Sequence, residues 1–187
     1  MYLSFGKRVF DLLVSGALIV LTSWLFVLII LAYGFSFNLP VLFRQLRLGK
    51  RERVFELVKF RTLAKDSNKP FALGTFLRFT SLDELPQLFQ VCSGRMSLVG
   101  PRPLPVGYRN LFSGEQRRRH DVLPGMTGWA QVNGRHSLSW QKKFELDNYY
   151  VDHISLALDF RILIKTMRIL LAFNKDKSLE EQKFMGN

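Results

Sequence analysis

The chain has 187 residues, with 27 Lys and Arg against 15 Asp and Glu, a formal net charge of +12. That length holds one modest core or a small domain with an anchor, and the charge points to an anionic partner: nucleic acid, phospholipid headgroups or a phosphorylated substrate. A hydrophobic fraction of 48% argues against a disordered chain, and the single cysteine, Cys92, excludes an internal disulfide.

From Leu12 to Phe35 the chain carries no charge. The stretch is long enough to cross a bilayer core of roughly 30 Å as a helix, and too long for the apolar region of a signal peptide. Basic residues flank it on both sides: Lys7 and Arg8 before, and Arg44, Arg47, Lys50, Arg51 and Arg53 after. The positive-inside rule sends such flanks to the cytoplasm. Charge alone leaves two topologies open. One is a re-entrant hairpin bent near Thr22-Ser23, whose hydroxyls can bond carbonyls freed by a break. The other is an ordinary single-pass helix. Asp11, four residues after Lys7, reads as its i,i+4 ion-pair partner.

Downstream, Val41 to Leu63 predicts a small hairpin around Gly49, with "RVFELVKF" as one strand. Ala64 to Ala72 reads as a polar loop. Phe76 to Val91, "FLRFTSLDELPQLFQV", predicts one helix with Leu82, Leu85 and Phe89 on one face. Ser93 to Pro105 and Pro124 to Arg135 read as loops punctuated by Gly and Pro. Glu115 to Val122 is a basic helical turn, and Ser139 to Asp152 a helix. In Leu158 to Phe173, Arg161, Lys165 and Arg168 form a narrow basic stripe on an apolar helix. That pattern suits a helix lying in a membrane interface, or a core helix with a solvated edge. The tail from Asn174 is polar and expected to be loose.

The adjacent acids Asp83 and Glu84 stand out in so basic a chain. "SLDE" matches a capping box with Ser81 as N-cap and Glu84 at N3; alternatively Asp83 itself caps. Either way the pair is expected at a helix N-terminus. Arg78, Arg95 and Arg102 are expected in nearby loops, with Lys59 and Arg61 upstream. A carboxylate among such cations stays ionised and can serve as nucleophile or metal ligand. The basic surround suits phosphate, and Mg²⁺ held by the acid and phosphate oxygens would neutralise the charge between them. The constellation suggests phosphoryl transfer at a membrane surface. His120, His136 and His153 are scattered, so a zinc site is not expected. "RRRH", Arg117 to His120, reads as a solvated or headgroup-facing surface. Trp129 and Trp140 suit base stacking, interface anchoring or core packing.

The stretches "KRVFDLL", "FRQLRLG", "KFRTL", "LRFTSLDELPQLF", "SLVGPRPLPVGY", "RHDVLPGMTGWAQVNGR", "SWQKKFELDNYYV" and "SLALDFRILIKT" resemble, in order and over nearly the whole length, the small monotopic bacterial phosphoglycosyl transferases. The resemblance implies a mainly α fold with a small β-hairpin, a re-entrant N-terminal membrane helix and interfacial amphipathic helices. It divides the chain into a membrane-inserted segment (1–38), a cytosolic catalytic domain (39–173) and a tail (174–187). It implies transfer of sugar-1-phosphate from a UDP-sugar to a polyprenyl phosphate such as undecaprenyl phosphate, with release of UMP. Asp83 would be the nucleophile, forming a covalent phosphosugar-aspartate, and also the Mg²⁺ ligand; Glu84 would be its partner. Lys59, Arg61, Arg78, Arg102, Gln131, Asn133 and Arg135 would bind the phosphates and the nucleotide. The enzyme would sit on the cytoplasmic face of a bacterial inner membrane, at an anionic surface and without nucleic acid, with a homodimer left open.

Four features depart from the family pattern: Trp24 follows Ser23 where proline is usual, Gly107 stands where glutamate is usual, "KFRTL" ends in Leu63 rather than Met, and the loop from Ala64 to Thr80 is short. Two rival readings are a single-pass basic module binding anionic lipid or nucleic acid, and an inactive homologue that scaffolds glycan assembly.

Overall fold

The computed structural model describes residues 2–36, 40–64, 69–134, 137–172 and 184–186. A single π-helical turn, Tyr2–Gly6, leads into α1, Lys7–Ser36. The hairpin is present: β1 (Leu42–Leu48) pairs antiparallel with β2 (Val54–Phe60), with Leu42 opposite Phe60 and Leu48 opposite Val54. Then follow α2 (Ala72–Thr80), a 3₁₀ turn (Leu82–Glu84), α3 (Gln87–Cys92), β3 (Ser97–Val99), α4 (Gly114–Arg117), β4 (Gly125–Thr127), α5 (Trp129–Val132), α6 (Trp140–Asp152) and α7 (Leu156–Leu171). The mainly helical class with a small hairpin holds.

At 30 residues, α1 is about 45 Å long, and it is long and apolar enough to cross a bilayer. It does not stand clear of the rest of the chain. Phe10, Val14, Leu18 and Ile19 pack on a core of Leu57, Leu88, Val91, Met96, Leu98 and Ile162. Farther along, Phe26, Ile29 and Tyr33 pack on Phe60 and Leu77. One face of the helix is therefore laid along the folded body for most of its length. The opposite face, Leu13, Val20, Trp24, Val27, Leu31 and Phe35, is exposed and apolar. Thr22 Oγ1 donates to the Leu18 carbonyl at 2.7 Å and Ser23 Oγ to the Val20 carbonyl at 2.9 Å. Both hydroxyls thus bond carbonyls, yet helical hydrogen bonding runs through this point without a break.

Polar contacts tie the start of α1 down. Lys7 Nζ lies 2.7 Å from Asp159, not paired with Asp11 as its spacing suggested. Asp11 Oδ1 instead accepts from the Leu98 N–H at 3.0 Å. Arg8 donates to the Val91 and Cys92 carbonyls at the end of α3. A tertiary partner wins in each case because burial makes an unsatisfied polar group expensive.

Three expectations fail in the middle of the chain. The helix predicted over Phe76 to Val91 is broken in two: Ser81 takes a left-handed φ of 59° and Pro86 precedes α3. The two segments read as loops carry β3 and β4, which pair parallel, with Ser97 opposite Gly125 and Val99 opposite Thr127. The strands are three residues each, too short for an alternating pattern to register. A Cβ at Gly125 would lie 2.1 Å from the Gly100 nitrogen, so these two loops can approach only through glycine. Finally, Arg119 and His120 of "RRRH" are buried rather than solvated, with Arg119 2.8 Å from Asp147. The tail is also not wholly loose, since Phe184 is buried among Phe112, Phe144 and Trp140.

α7 follows its pattern. Leu158, Asp159 and Ile162 face inward, while Leu156, Phe160, Ile164, Met167 and Leu171 are exposed on the outer face. Arg161, Lys165 and Arg168 line an open groove there with Trp129.

Candidate active site

Asp83 and Glu84 sit in the 3₁₀ turn between α2 and α3. Ser81 makes no side-chain cap bond, so the expected capping box does not form, and α3 begins only at Gln87, so Asp83 is not its cap either. The left-handed Ser81 ends α2 and turns the chain inward. Asp83 is carried into the protein and is only 6% exposed; Glu84 stays half-buried.

Lys59, Arg78 and Arg102 bring positive charge to Asp83 from three elements. Lys59 comes from β2 and Arg78 from the last turn of α2. Arg102 comes from the loop after β3, with Nη1 3.6 Å from Glu84 Oε1. Among the described residues, the Asp83 carboxylate makes no hydrogen bond, and no ion pair within 4.0 Å. Burial pushes its pKa up to about 6, the charge of Glu84 adds to this, and the three cations offset part of it. Desolvation thus outweighs the cations, although a carboxyl with a pKa of about 6 is still ionised at neutral pH. Burial also pushes Lys59 down, against the pull of Asp83 and Glu84.

Not every predicted residue joins this cluster. Arg61 Nε donates to the Pro40 carbonyl at 3.0 Å, and its backbone carbonyl accepts from the Tyr33 hydroxyl. Gln131 and Asn133 lie at α5 and bond locally: Gln131 Nε2 to the Met126 carbonyl at 3.0 Å and Asn133 Nδ2 to the Trp129 carbonyl at 2.8 Å. Lys165 Nζ reaches Asn133 Oδ1 at 2.8 Å and lies over the Trp129 ring. Arg135 lies outside the described residues.

Two supports escaped the sequence reading. Gln90, buried on α3, accepts from the Val58 N–H and donates to the Glu56 carbonyl, fixing the strand that carries Lys59. Arg119, paired with Asp147, donates to the Arg102 carbonyl at 2.7 Å and so fixes the other side of the site. The signal for Gln90 was available: a buried polar residue in the apolar run "LFQVC" must find a partner.

Among the described residues, no three His, Cys, Asp or Glu side chains converge into a metal cage. The donors present are the adjacent carboxylates of Asp83 and Glu84. They fit Mg²⁺, which takes one or two carboxylates and completes its shell with water and substrate phosphates.

The arrangement offers a buried, unbonded carboxylate facing a basic surround, which is chemistry for an anionic phosphoryl substrate. Similarity to known proteins agrees. The chain is 44% identical over 175 residues to the uncharacterized sugar transferase EpsL of Bacillus subtilis, covering 88% of this chain and 87% of that one. It is 37% identical to the UDP-glucose:undecaprenyl-phosphate glucose-1-phosphate transferase of Klebsiella pneumoniae, covering 86% of this chain but 39% of that longer protein. It is 36% identical to the UDP-N-acetylgalactosamine-undecaprenyl-phosphate N-acetylgalactosaminephosphotransferase of Aeromonas hydrophila, covering 90% of this chain and 44% of that one. With residues 2–173 matching the family model described as bacterial sugar transferase, the chain belongs to the bacterial sugar transferase family.

Proposed function

We propose that the chain transfers sugar-1-phosphate from a UDP-sugar to undecaprenyl phosphate or a related polyprenyl phosphate. The observation that carries this reading is Asp83: 6% exposed, without a bonding partner among the described residues, and surrounded by Lys59, Arg78 and Arg102. With a pKa of about 6 it is ionised at neutral pH, yet more basic than an ordinary carboxylate. Its oxygen attacks the phosphorus that bears the sugar. The bond from that phosphorus to the bridging oxygen breaks, and UMP leaves with the oxygen. The phosphosugar is then held on Asp83 until an oxygen of the polyprenyl phosphate attacks the same phosphorus and frees the carboxylate. Glu84 keeps Asp83 basic by its charge and places Arg102; Lys59, Arg78 and Arg102 take up charge on the phosphates. Asp83, with Glu84 beside it, would hold Mg²⁺, which when bound draws charge from the diphosphate.

The same reading places the protein on the cytoplasmic face of a bacterial inner membrane, with both ends of α1 on that face. Two observations support it: α1 packs along the folded body from Phe10 to Tyr33, and both flanks are basic. A helix so bound cannot cross the bilayer without carrying charged surface into lipid. The exposed apolar faces of α1 and α7 would then meet the bilayer. Cysteines introduced near residues 4 and 50 should both resist labelling from outside; labelling of the first alone would establish a straight span.

UMP release tests the function. Membranes carrying the protein, with Mg²⁺ and a polyprenyl phosphate, should release UMP from at least one of UDP-glucose, UDP-galactose and UDP-N-acetylgalactosamine. No UMP from a wider panel of UDP-sugars would overturn the reading.

A further inference from the structure

α1 supplies more than an apolar surface. Its inner face reaches the site at Tyr33, which is fully buried. The Tyr33 ring stacks on Phe60 at 6.2 Å between centroids and meets Phe71 edge-on at 5.8 Å. Its hydroxyl donates to the Arg61 carbonyl, and the charge of Asp83 reaches it. Phe60 and Arg61 directly follow Lys59, one of the three cations around Asp83. On the other side, α2 presses against the same segment: a Cβ at Gly74 would lie 2.1 Å from the Thr62 carbonyl oxygen. Residues 59–62 are thus clamped between the membrane-segment helix and α2. A phenylalanine would fill the Tyr33 space equally well. The hydroxyl is a specific polar link, placed where burying one without a partner is costly.

We propose that Tyr33 is a positioning residue of the active site: it ties α1 to the end of β2 and so sets where Lys59 stands against Asp83. The inference rests on the reading of Asp83 as the nucleophile. The membrane segment is then part of the catalytic framework, and a displacement of α1 is felt at Lys59.

The test is Tyr33→Phe in the full chain in membranes, followed by the maximal rate of phosphosugar loading, the UDP-sugar concentration that gives half that rate, and the thermal midpoint. The midpoint should move by only a few degrees. The maximal rate should slow roughly 10-fold, less than a 1 Å misplacement can cost, with the smaller change in the half-maximal concentration. In a Lys59→Ala background, the effect of Tyr33→Phe on loading should vanish, as coupled residues require. Loading within two-fold of wild type overturns the proposal, and so does full additivity with Lys59→Ala. Failure of the underlying reading looks different: loading that survives Asp83→Asn.

Discussion

Asp159 and Asp83 are both buried carboxylates in a strongly basic chain, and they are built in opposite ways. Asp159 is bonded by three protein donors: Lys7 Nζ at 2.7 Å, the Tyr2 hydroxyl at 2.6 Å and the Tyr150 hydroxyl at 2.8 Å all point at it. It fastens the start of α1 to α6 and α7, and its complete burial keeps it from any ligand. Asp83 has three cations near it and bonds none of them. In a chain where both are buried, that difference separates a structural carboxylate from one proposed to do chemistry. The first spends its lone pairs on protein donors, whereas the second keeps them, at a cost in desolvation that appears as a raised pKa.

The same substitution at both places separates the two aspartates most sharply. Asp83→Asn should lower sugar-phosphate transfer roughly 10³-fold or more, as loss of a nucleophile does, with membrane association intact. Asp159→Asn should act on the fold instead. It strands the buried Lys7, and stranding one partner of a buried ion pair costs about 3–5 kcal/mol. Thermal unfolding and activity measured on both variants would show whether the two losses separate.

Next in size are Arg78→Ala and Arg102→Ala. Each should cut transfer by roughly 10-fold or more, since charge-assisted bonds to phosphate are about twice as strong as neutral ones, while sedimentation with membranes stays unchanged. Near-normal turnover in both would mean these cations serve headgroups.

A smaller effect sharpens the contrast through pH. The Asp83 pKa is raised in the fold, from 3.8 to about 6, so its ionised form is disfavoured by folding. Its stabilising influence is full below pH 4 and lost as pH rises through 6. Asp83→Asn should therefore stabilise the protein at pH 8 by about 3 kcal/mol, and the gain should disappear by pH 4. An equal stability difference at both pH values would show that Asp83 is not held at a raised pKa.

The smallest effect concerns how Asp83 is turned inward. Ser81 holds a left-handed φ of 59°, so Ser81→Val should cost about 1–2 kcal/mol, because a β-branched residue resists that region. Chemical denaturation reads it directly. A neutral result would place the break in α2 elsewhere.

Much of this was legible in the sequence where pattern and chemistry are local. The 24 uncharged residues before Ser36, the alternating "RVFELVKF" and the apolar repeat of α7 each recorded their element, because burial on one face leaves a period. The acid pair was legible by composition, as two carboxylates where bases dominate. What failed was set by tertiary contact. The capping box of "SLDE" was a sound local reading, but a left-handed Ser81 and Pro86 turn the acids into a separate 3₁₀ turn. Lys7 was four residues from Asp11 and yet bonds a partner 152 residues away. Three-residue strands leave no periodic trace, so β3 and β4 passed as loops. Arg119 looked like one of a solvated basic run, and only the packing of α6 reveals Asp147 opposite it.

On the proposed mechanism Asp83 carries the phosphosugar. Purified protein should be mixed with Mg²⁺ and the UDP-sugar that supports UMP release, without polyprenyl phosphate, and its peptides examined by mass spectrometry. A sugar-phosphate mass is expected on the peptide containing Asp83, absent from Asp83→Asn and discharged when polyprenyl phosphate is added. Label retained in Asp83→Asn, or found on a different peptide of the wild-type chain, would contradict it.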